Sequence, residues 1–588
     1  MSSSSATSTA PHVPEGFRLH TENNVHILMS ENEAFLNPVQ EFNRDLSVAC
    51  IRTWSEELNK LKQERRAQVS KKRALKIKEG SAKKRQRVNE QDSVAVEEKP
   101  LQSEESQGGK TDTDLQPTTK PEASAESSRF VGLLTSESQE TFDYNFTILE
   151  ALSATGLRSI RYAKEIPLVK YVLANDLSPT AVAAMKRNVE LNGLGVEEKT
   201  EEEGSARKGK TNLGKVRVNQ GDACALMYGH RTERVDVVDL DPYGTATPFI
   251  DAAVQAVKDE GLLCITCTDL SILATNNYPE KCFSNYGGLP MKAEYSHEAA
   301  LRLVLHAAST SASRYGRYIE PLLSLSIDFY VRLFIRVNSS PLQVKKALTK
   351  TSTYFVCTSC QSFYEQPLGR VIEKTGAGDN VNTIYKTQPG PTVGSRCPEC
   401  DSSLHIAGPM WSGPIHDTNF VSKVLQHIEA NKDAYGTSAR MQGMLTVAKE
   451  ELPTPFYFTP TKVAGFFHCQ TPSLEETTSA LLHAGHQVSR SHASPGSLKT
   501  TGTCEDLMDV FRSWVKKHPI KNVSETSPAL RLLAKEPRAE ANFSKHPNSV
   551  TSSSKFKIVR YPETPANWGP GSRPVTGGGN KRKRKHDN

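Results

Sequence analysis

Ile148-Leu-Glu-Ala-Leu-Ser-Ala-Thr-Gly-Leu-Arg158 contains an apolar run, a loop of small residues closed by glycine, and the first residues of a helical pattern. A strand, tight loop and helix in that order let a ligand approach the backbone and the helix N-terminus. Twenty positions beyond Gly156, Tyr171-Val-Leu-Ala-Asn-Asp176 is a second apolar run ending in an acid. That is where an adenosine ribose is held through its hydroxyls. The loop lacks a full G-x-G-x-x-G, so a dinucleotide fits it poorly. Val216-Arg-Val-Asn-Gln-Gly-Asp222, followed by Ala223, repeats the strand-then-acid pattern, and Asp236-Val-Val-Asp-Leu-Asp-Pro-Tyr-Gly244 repeats it again. Helical segments such as Pro179–Leu191 separate these runs, which predicts an α/β fold with a parallel sheet. Ligands in such sheets lie outside the carboxyl ends of the strands.

The turn after the fourth run has its own chemistry. Asp241 and a backbone carbonyl can accept the two hydrogens of an exocyclic amine, while Tyr243 offers a ring for stacking on a planar base. The same Asp-Pro pair also starts ordinary turns.

The ordered set of motifs resembles the class I methyltransferases that use S-adenosylmethionine. It is most similar to the tRNA guanine-26 N2-dimethyltransferase family, from about Pro14 to about His518 apart from a large insertion. The matching stretches are Phe35-Leu-Asn-Pro-Val39, Asn43-Arg-Asp45, Ala151–Arg158, Asn175-Asp176, Met185-Lys-Arg-Asn188 and Asp239–Gly244. Gly408-Pro-Met-Trp-Ser-Gly-Pro414 and Ser491-His-Ala-Ser-Pro-Gly-Ser-Leu-Lys499 follow. The resemblance implies a Rossmann-like methyltransferase sheet, S-adenosylmethionine as methyl donor and tRNA as partner. Position by position, it implies that Arg44, Arg158, Asp176, Asp222 and Ala223 line the cofactor site. It also implies that Asp241 is the catalytic acid and that Phe35 stands at the mouth of the site. Without it, Arg44 would be a surface charge, Arg158 the partner of a nearby acid and Phe35 a core aromatic. Asp176 and Asp222 would be helix caps. Two other readings remain: a methyltransferase acting on adenine N6 or protein glutamine, and a non-catalytic zinc protein that binds RNA.

Cys357-Thr-Ser-Cys360 and Cys397-Pro-Glu-Cys400 are two C-x-x-C pairs with thirty-six residues between them. Four thiolates suit a tetrahedral structural Zn²⁺ with no position left for water. The long gap predicts an inserted hairpin or loop over 369–394. Cys264 and Cys267 share the C-x-x-C spacing but lie in an apolar strand, where they face opposite sides and serve as core thiols.

At 588 residues the chain exceeds one core. We expect a methyltransferase domain over 14–53 and 129–340, and a disordered charged insertion over 54–128. A second, zinc-containing α/β domain that binds tRNA should cover 341–519, followed by a largely disordered tail over 520–588. A shorter charged insertion is expected over 197–212. No apolar run approaches the length of a bilayer span, and the serine-rich start has no apolar stretch of the secretory kind. No membrane association or obligate protein partner is expected. Net charge is +7, but thirteen Lys or Arg against four acids lie between Glu56 and Arg87, and Lys581-Arg-Lys-Arg-Lys585 adds five more. The remainder is therefore acidic, and RNA must be met by a local patch or by these appendages. The basic runs Lys83–Arg87 and Lys581–Lys585 also resemble nuclear import signals, so the nucleus is the expected location, with mitochondria as a second.

Overall fold

A computed structural model describes residues 12–30, 36–92, 143–196, 213–376, 381–520, 523–549 and 559. The chain forms two compact units, residues 1–57 with 145–588, and residues 58–144. A hairpin of β1 (Phe17–Glu22) and β2 (Val25–Ser30) opens the larger unit. A 3-10 turn at Pro38–Gln40 then leads into α1 (Glu41–Asp92).

The seven-stranded sheet follows in chain order. It comprises β3 (Phe146–Glu150), α2 (Leu157–Glu165), β4 (Val169–Asp176), α3 (Pro179–Leu191), β5 (Val216–Gln220), α4 (Ala223–Gly229) and β6 (Val235–Leu240). After these come α5 (Thr247–Ala256), β7 (Val257–Cys267), α6 (Leu270–Leu273), α7 (Pro279–Tyr286), α8 (Ser296–Ser313), β8 (Arg317–Ile327) and β9 (Tyr330–Ser339). The sheet order is β5-β4-β3-β6-β7-β9-β8. β3 to β7 are parallel, and β9 runs antiparallel to both β7 and β8. β6 is buried along its whole length, as expected of a strand in a sheet covered on both faces. The expected Rossmann-like methyltransferase sheet is present. Cys264 and Cys267 are both fully buried in β7, as strand alternation required.

Beyond Ser340 come α9 (Pro341–Lys346), β10 (Thr351–Cys357), β11 (Phe363–Pro367), and a hairpin of β12 (Gly369–Thr375) and β13 (Val381–Thr387). That hairpin is the insertion expected between the cysteine pairs. β14 (Leu404–Trp411), α10 (Thr418–Ala430), α11 (Ser438–Glu450), α12 (Pro460–Phe467) and α13 (Leu474–His483) come next. The segment closes with β15 (Val488–Arg490), β16 (Leu498–Thr500), α14 (Cys504–Lys517) and α15 (Ala529–Ala534). One hydrophobic cluster contains Leu263, Leu333 and Val337 from the sheet together with Tyr354, Met410, Trp411 and Phe456. The two regions expected on either side of Ser340 thus share a core.

The insertion expected to be disordered from residue 54 is instead helical through Asp92, as the second part of α1. Trp54 itself is 1% exposed, packs edge-on against Phe146 at 5.4 Å and donates Nε1–H to Glu260 O at 3.3 Å. The stretch after it is dense in Lys, Glu, Arg, Ala, Leu and Gln and contains no proline, so propensity favours the helix. Within the smaller unit, Asn59 Oδ1 accepts the Tyr144 N–H at 2.8 Å. The expected insertion over 197–212 and the basic run Lys581–Lys585 lie outside the described residues. Among the described residues no helix is long and apolar enough to cross a membrane.

Candidate active site

The small-residue loop after β3 is shaped by Gly156, which has φ +80° and whose added Cβ would lie 2.7 Å from Met185 Cγ in α3. Only glycine meets both conditions without strain. The loop is tied to the end of β4: Ser153 N–H donates to Asn175 O at 2.8 Å and Ala154 N–H to Asp176 Oδ2 at 2.9 Å. Asp176 Oδ1 accepts from Ser178 N–H at 2.9 Å. A carboxylate has about four acceptor positions, so Asp176 keeps capacity for further donors.

A cleft of about 250 Å³ opens at these strand ends, lined by Arg44, Ser153, Ala154, Arg158, Asp176 and the Asp241–Tyr243 turn, with Glu150 at its floor. Five of the residues singled out in the sequence therefore meet in one place. Tyr243 is 79% exposed at the mouth of the cleft. The turn is held to the end of β7, since Gly244 N–H donates to Thr268 Oγ1 and Thr268 N–H donates to Gly244 O, each at 2.8 Å. Asp222 and Ala223 are not among the lining residues. Asp222 caps α4 by accepting Ala225 N–H at 2.8 Å, and Ala223 is the buried first residue of that helix. They remain close, because Gly221 N–H donates to Asp176 O at 3.1 Å. Phe35 lies outside the described residues.

Behind the cleft is a buried charge system that motif reading missed. Arg158 forms an ion pair with Asp241 and approaches Glu150 and Asp239 at 3.7 Å each. Arg332, from β9, donates to Asp239 at 2.8 Å and to Thr266 Oγ1 at 2.9 Å, and both arginines donate to Ser47 Oγ. Tyr162 Oη–H donates to Asp239 at 2.5 Å. Three carboxyls face two guanidiniums, which leaves one negative charge in excess. Burial opposes ionisation of Asp239, but Arg332 and Arg158 outweigh it and hold that acid below its usual range. At Glu150 burial wins, and its carboxyl is pushed up to about 7. The signal for Arg332 was a lone arginine inside the apolar run Tyr330–Ile335. Its partner is ninety-three residues away, so a local reading could not supply it. Arg44 is likewise committed, donating Nε–H to Glu22 at 2.8 Å while lining the cleft.

The four cysteines converge as their spacing predicted. Cys357, Cys360, Cys397 and Cys400 are all buried, with their sulfurs within 4.8 Å of one another. Cys357–Cys400, Cys360–Cys397 and Cys360–Cys400 are 3.4, 3.6 and 3.5 Å apart. A disulfide needs about 2.05 Å, whereas a tetrahedron with bonds of about 2.3 Å has edges near 3.8 Å. The arrangement fits a metal. A larger cavity of about 510 Å³ lies beside it, lined by Tyr295, Phe363, Phe456 and other rings. It has no strand-end acid from the parallel sheet, so size alone does not mark the reactive site.

A family profile described as N2,N2-dimethylguanosine tRNA methyltransferase matches residues 16–512. The tRNA (guanine(26)-N(2))-dimethyltransferase of Schizosaccharomyces pombe is 42% identical over 92% of this chain and 90% of its own length. That of Mus musculus is 42% identical over 94% of this chain and 76% of its own. A solved complex of Trm1 from Pyrococcus horikoshii with S-adenosyl-L-methionine superposes with a TM-score of 0.55. It covers 84% of this chain and 99% of that one at 23% identity, which attests the fold. On the profile match and these relatives, the chain belongs to the N2,N2-dimethylguanosine tRNA methyltransferase family.

Proposed function

We infer that this protein transfers methyl groups from S-adenosylmethionine to the exocyclic N2 of guanine at position 26 of tRNA, and that it can add two. The observation that carries this reading is the opening of Asp176 and Asp241 onto one cleft in a chain of this family.

The cleft suits the donor. Asp176 closes β4 twenty residues beyond the glycine of the loop and retains acceptor capacity for ribose hydroxyls. Asp222 and Ala223 follow Gly221, just beyond the neighbouring strand β5, and would hold the adenine side of the donor. When bound, S-adenosylmethionine supplies an electrophilic methyl on a sulfonium sulfur.

The residues of this chain align the acceptor. Guanine N2 is a weak nucleophile because its lone pair is delocalised into the ring. Asp241, accepting from the amine, favours the geometry in which the lone pair points at the methyl, and it stabilises the positive charge that develops on nitrogen. Arg158 is a positioning residue: its ion pair orients the Asp241 carboxylate. Tyr243 stacks on the base, and Arg44 borders the cofactor. The target must first leave its stack, which is cheaper at a junction or an unpaired nucleotide.

The four thiols are assigned to a structural Zn²⁺. With every position filled by sulfur, the ion leaves no site for a reacting water. The region beyond Ser340 is assigned to tRNA binding. The basic runs support a nuclear location, with mitochondria as the alternative, and imaging of a tagged chain in intact cells tests it.

The test of the activity is nucleoside mass spectrometry on tRNA incubated with pure protein and labelled cofactor, beside separate DNA and peptide pools. Mono- and dimethylguanosine from tRNA are expected. Label only in adenine or in glutamine would move the reading to the other methyltransferases, and RNA binding with no label to a non-catalytic role.

A further inference from the structure

The motif Ser491–Lys499 lies outside the cleft, yet a large share of the buried charge beyond Ser340 is spent holding it. His492 Nδ1 donates to Glu451 at 2.6 Å, while its Nε2 accepts the Ser326 N–H at 3.1 Å. Ser491 Oγ donates to Glu451 at 3.0 Å, and Lys499 Nζ bridges Glu298 at 3.1 Å and Glu451 at 3.3 Å. Glu298 is held in turn by Arg302 at 2.7 Å. His416, Glu451 and His492 bring their ligand atoms within 4.8 Å of one another. With both of its nitrogens engaged, His492 has no lone pair to give a metal. Burying this many ionisable groups is costly and is weak as a source of stability. Its effect here is to fix the backbone of one loop against β8 and α8.

The fixed loop forms one wall of a second cavity, of about 270 Å³, whose other walls include Glu294, His297, Ser326, Asp328, Arg440 and Tyr457. Asp328 belongs to the turn between β8 and β9. β9 starts opposite the carboxyl end of β7, with Val331 paired to Cys267, so this turn lies on the same sheet edge as Asp241. Tyr330, at the start of β9, feels the charges of Arg440, Asp328, Asp241 and Arg158. At about 4.8 Å per strand, β9 and β8 lie roughly 10 to 14 Å from β6. One base cannot fill both openings, but two neighbouring nucleotides can.

The lining selects a chemistry. Its one guanidinium, Arg440, is matched by Asp328 at 2.9 Å, so no spare positive charge is offered to a phosphate. Burial holds His297 below its ordinary range, which leaves the imidazole neutral near pH 7. Its Nδ1 lies 3.4 Å from Ser326 Oγ, and its Nε2 has no hydrogen bond among the described residues. Hydroxyls, a carboxylate, an imidazole and the Tyr457 ring suit a neutral group that is flat on one side and rich in donors and acceptors.

We propose that this cavity receives the nucleoside portion, base and ribose, of an RNA nucleotide adjacent to the methylated guanosine. The proposal rests on the RNA methyltransferase reading above. Its test is the affinity of the full-length protein for tRNA and for tRNAs carrying a single abasic site on either side of position 26. These are measured for wild type, Ser494→Phe, which fills the cavity, and His297→Ala, with S-adenosylmethionine affinity as a check on folding. Ser494→Phe is expected to weaken tRNA binding about tenfold, the scale of one stacked base, and His297→Ala by less, with cofactor affinity unchanged. One of the two abasic tRNAs should bind wild type about as weakly, and Ser494→Phe should weaken it no further. Wild-type affinity in both variants, or losses that multiply for both abasic tRNAs, overturns the proposal while leaving tRNA methylation intact. A wild type that neither binds nor methylates tRNA overturns both readings.

Discussion

The cleft and the thiol cluster collect charge in opposite ways. Around Asp241, guanidiniums and carboxyls from β3, α2, β6 and β9 alternate, so each buried charge has an opposite neighbour supplied by the chain. At Cys357, Cys360, Cys397 and Cys400 the chain brings together four groups that carry the same sign once ionised, and Zn²⁺ would supply the other. A site of the first kind keeps its shape without a ligand. One of the second kind draws its folding free energy from the metal.

Removing the metal should break this contrast most forcefully. Structural zinc binds with an apparent free energy of roughly 10–16 kcal/mol, so a strong chelator or Cys397→Ser is expected to unfold the region around β10 and β14. Calorimetry with a zinc-release assay reads this, and a chelated protein with an unchanged melting curve would refute it. The cleft should answer a different insult. Arg332→Met leaves Asp239 facing two further carboxyls with only Arg158 between them. Breaking a buried pair of this sort costs about 3–5 kcal/mol, measurable by urea unfolding. A loss under about 1 kcal/mol would mean that the alternation is not what stabilises the site.

These two sites were unequally legible in the sequence. The thiol cluster needs only residue type and spacing, because a metal would impose its geometry on whatever loop lies between, and the four sulfurs converge with the β12–β13 hairpin inserted between the pairs. The strand-end acids Asp176 and Asp241 were readable because strand, loop and helix are local patterns. The partners of Asp241 were harder. Arg158 was marked for the cofactor and is also committed to an ion pair, while Arg332 and Ser47 come from segments far away in the chain. Asp222 shows the reverse limit, since an acid after a strand reads the same whether it caps a helix or meets a ligand. The helix from Trp54 to Asp92 was missed because charge density was weighed above propensity.

Removing Asp241 tests whether chemistry and stability separate in the cleft. Asp241→Ala leaves Glu150 and Asp239 against Arg158 and Arg332, a balanced set, so the fold should persist. Methyl transfer should fall roughly 10²–10³-fold, the scale for removing a preorganised electrostatic group. Single-turnover assays decide, and near-normal transfer by this variant would strip Asp241 of its role.

The smallest effect concerns the excess carboxyl. Burial pushes the Glu150 carboxyl up to about 7, above the ordinary range of a glutamate. A raised acid contributes stability fully below its unfolded pKa and loses it as pH rises through the folded one. Between pH 5 and pH 8 the wild type should therefore lose stability relative to Glu150→Gln, by up to about 3 kcal/mol if none of the excess charge is relieved. A sulfonium bound in the cleft would supply that relief. S-adenosylmethionine affinity of the wild type should thus rise through pH 7, and Glu150→Gln should flatten the rise. Urea melts and cofactor titrations at the two pH values read both effects. If the stability gap is the same at pH 5 and pH 8, then Glu150 is not the group carrying the extra proton, and the surplus charge of the cleft is answered by something other than protonation.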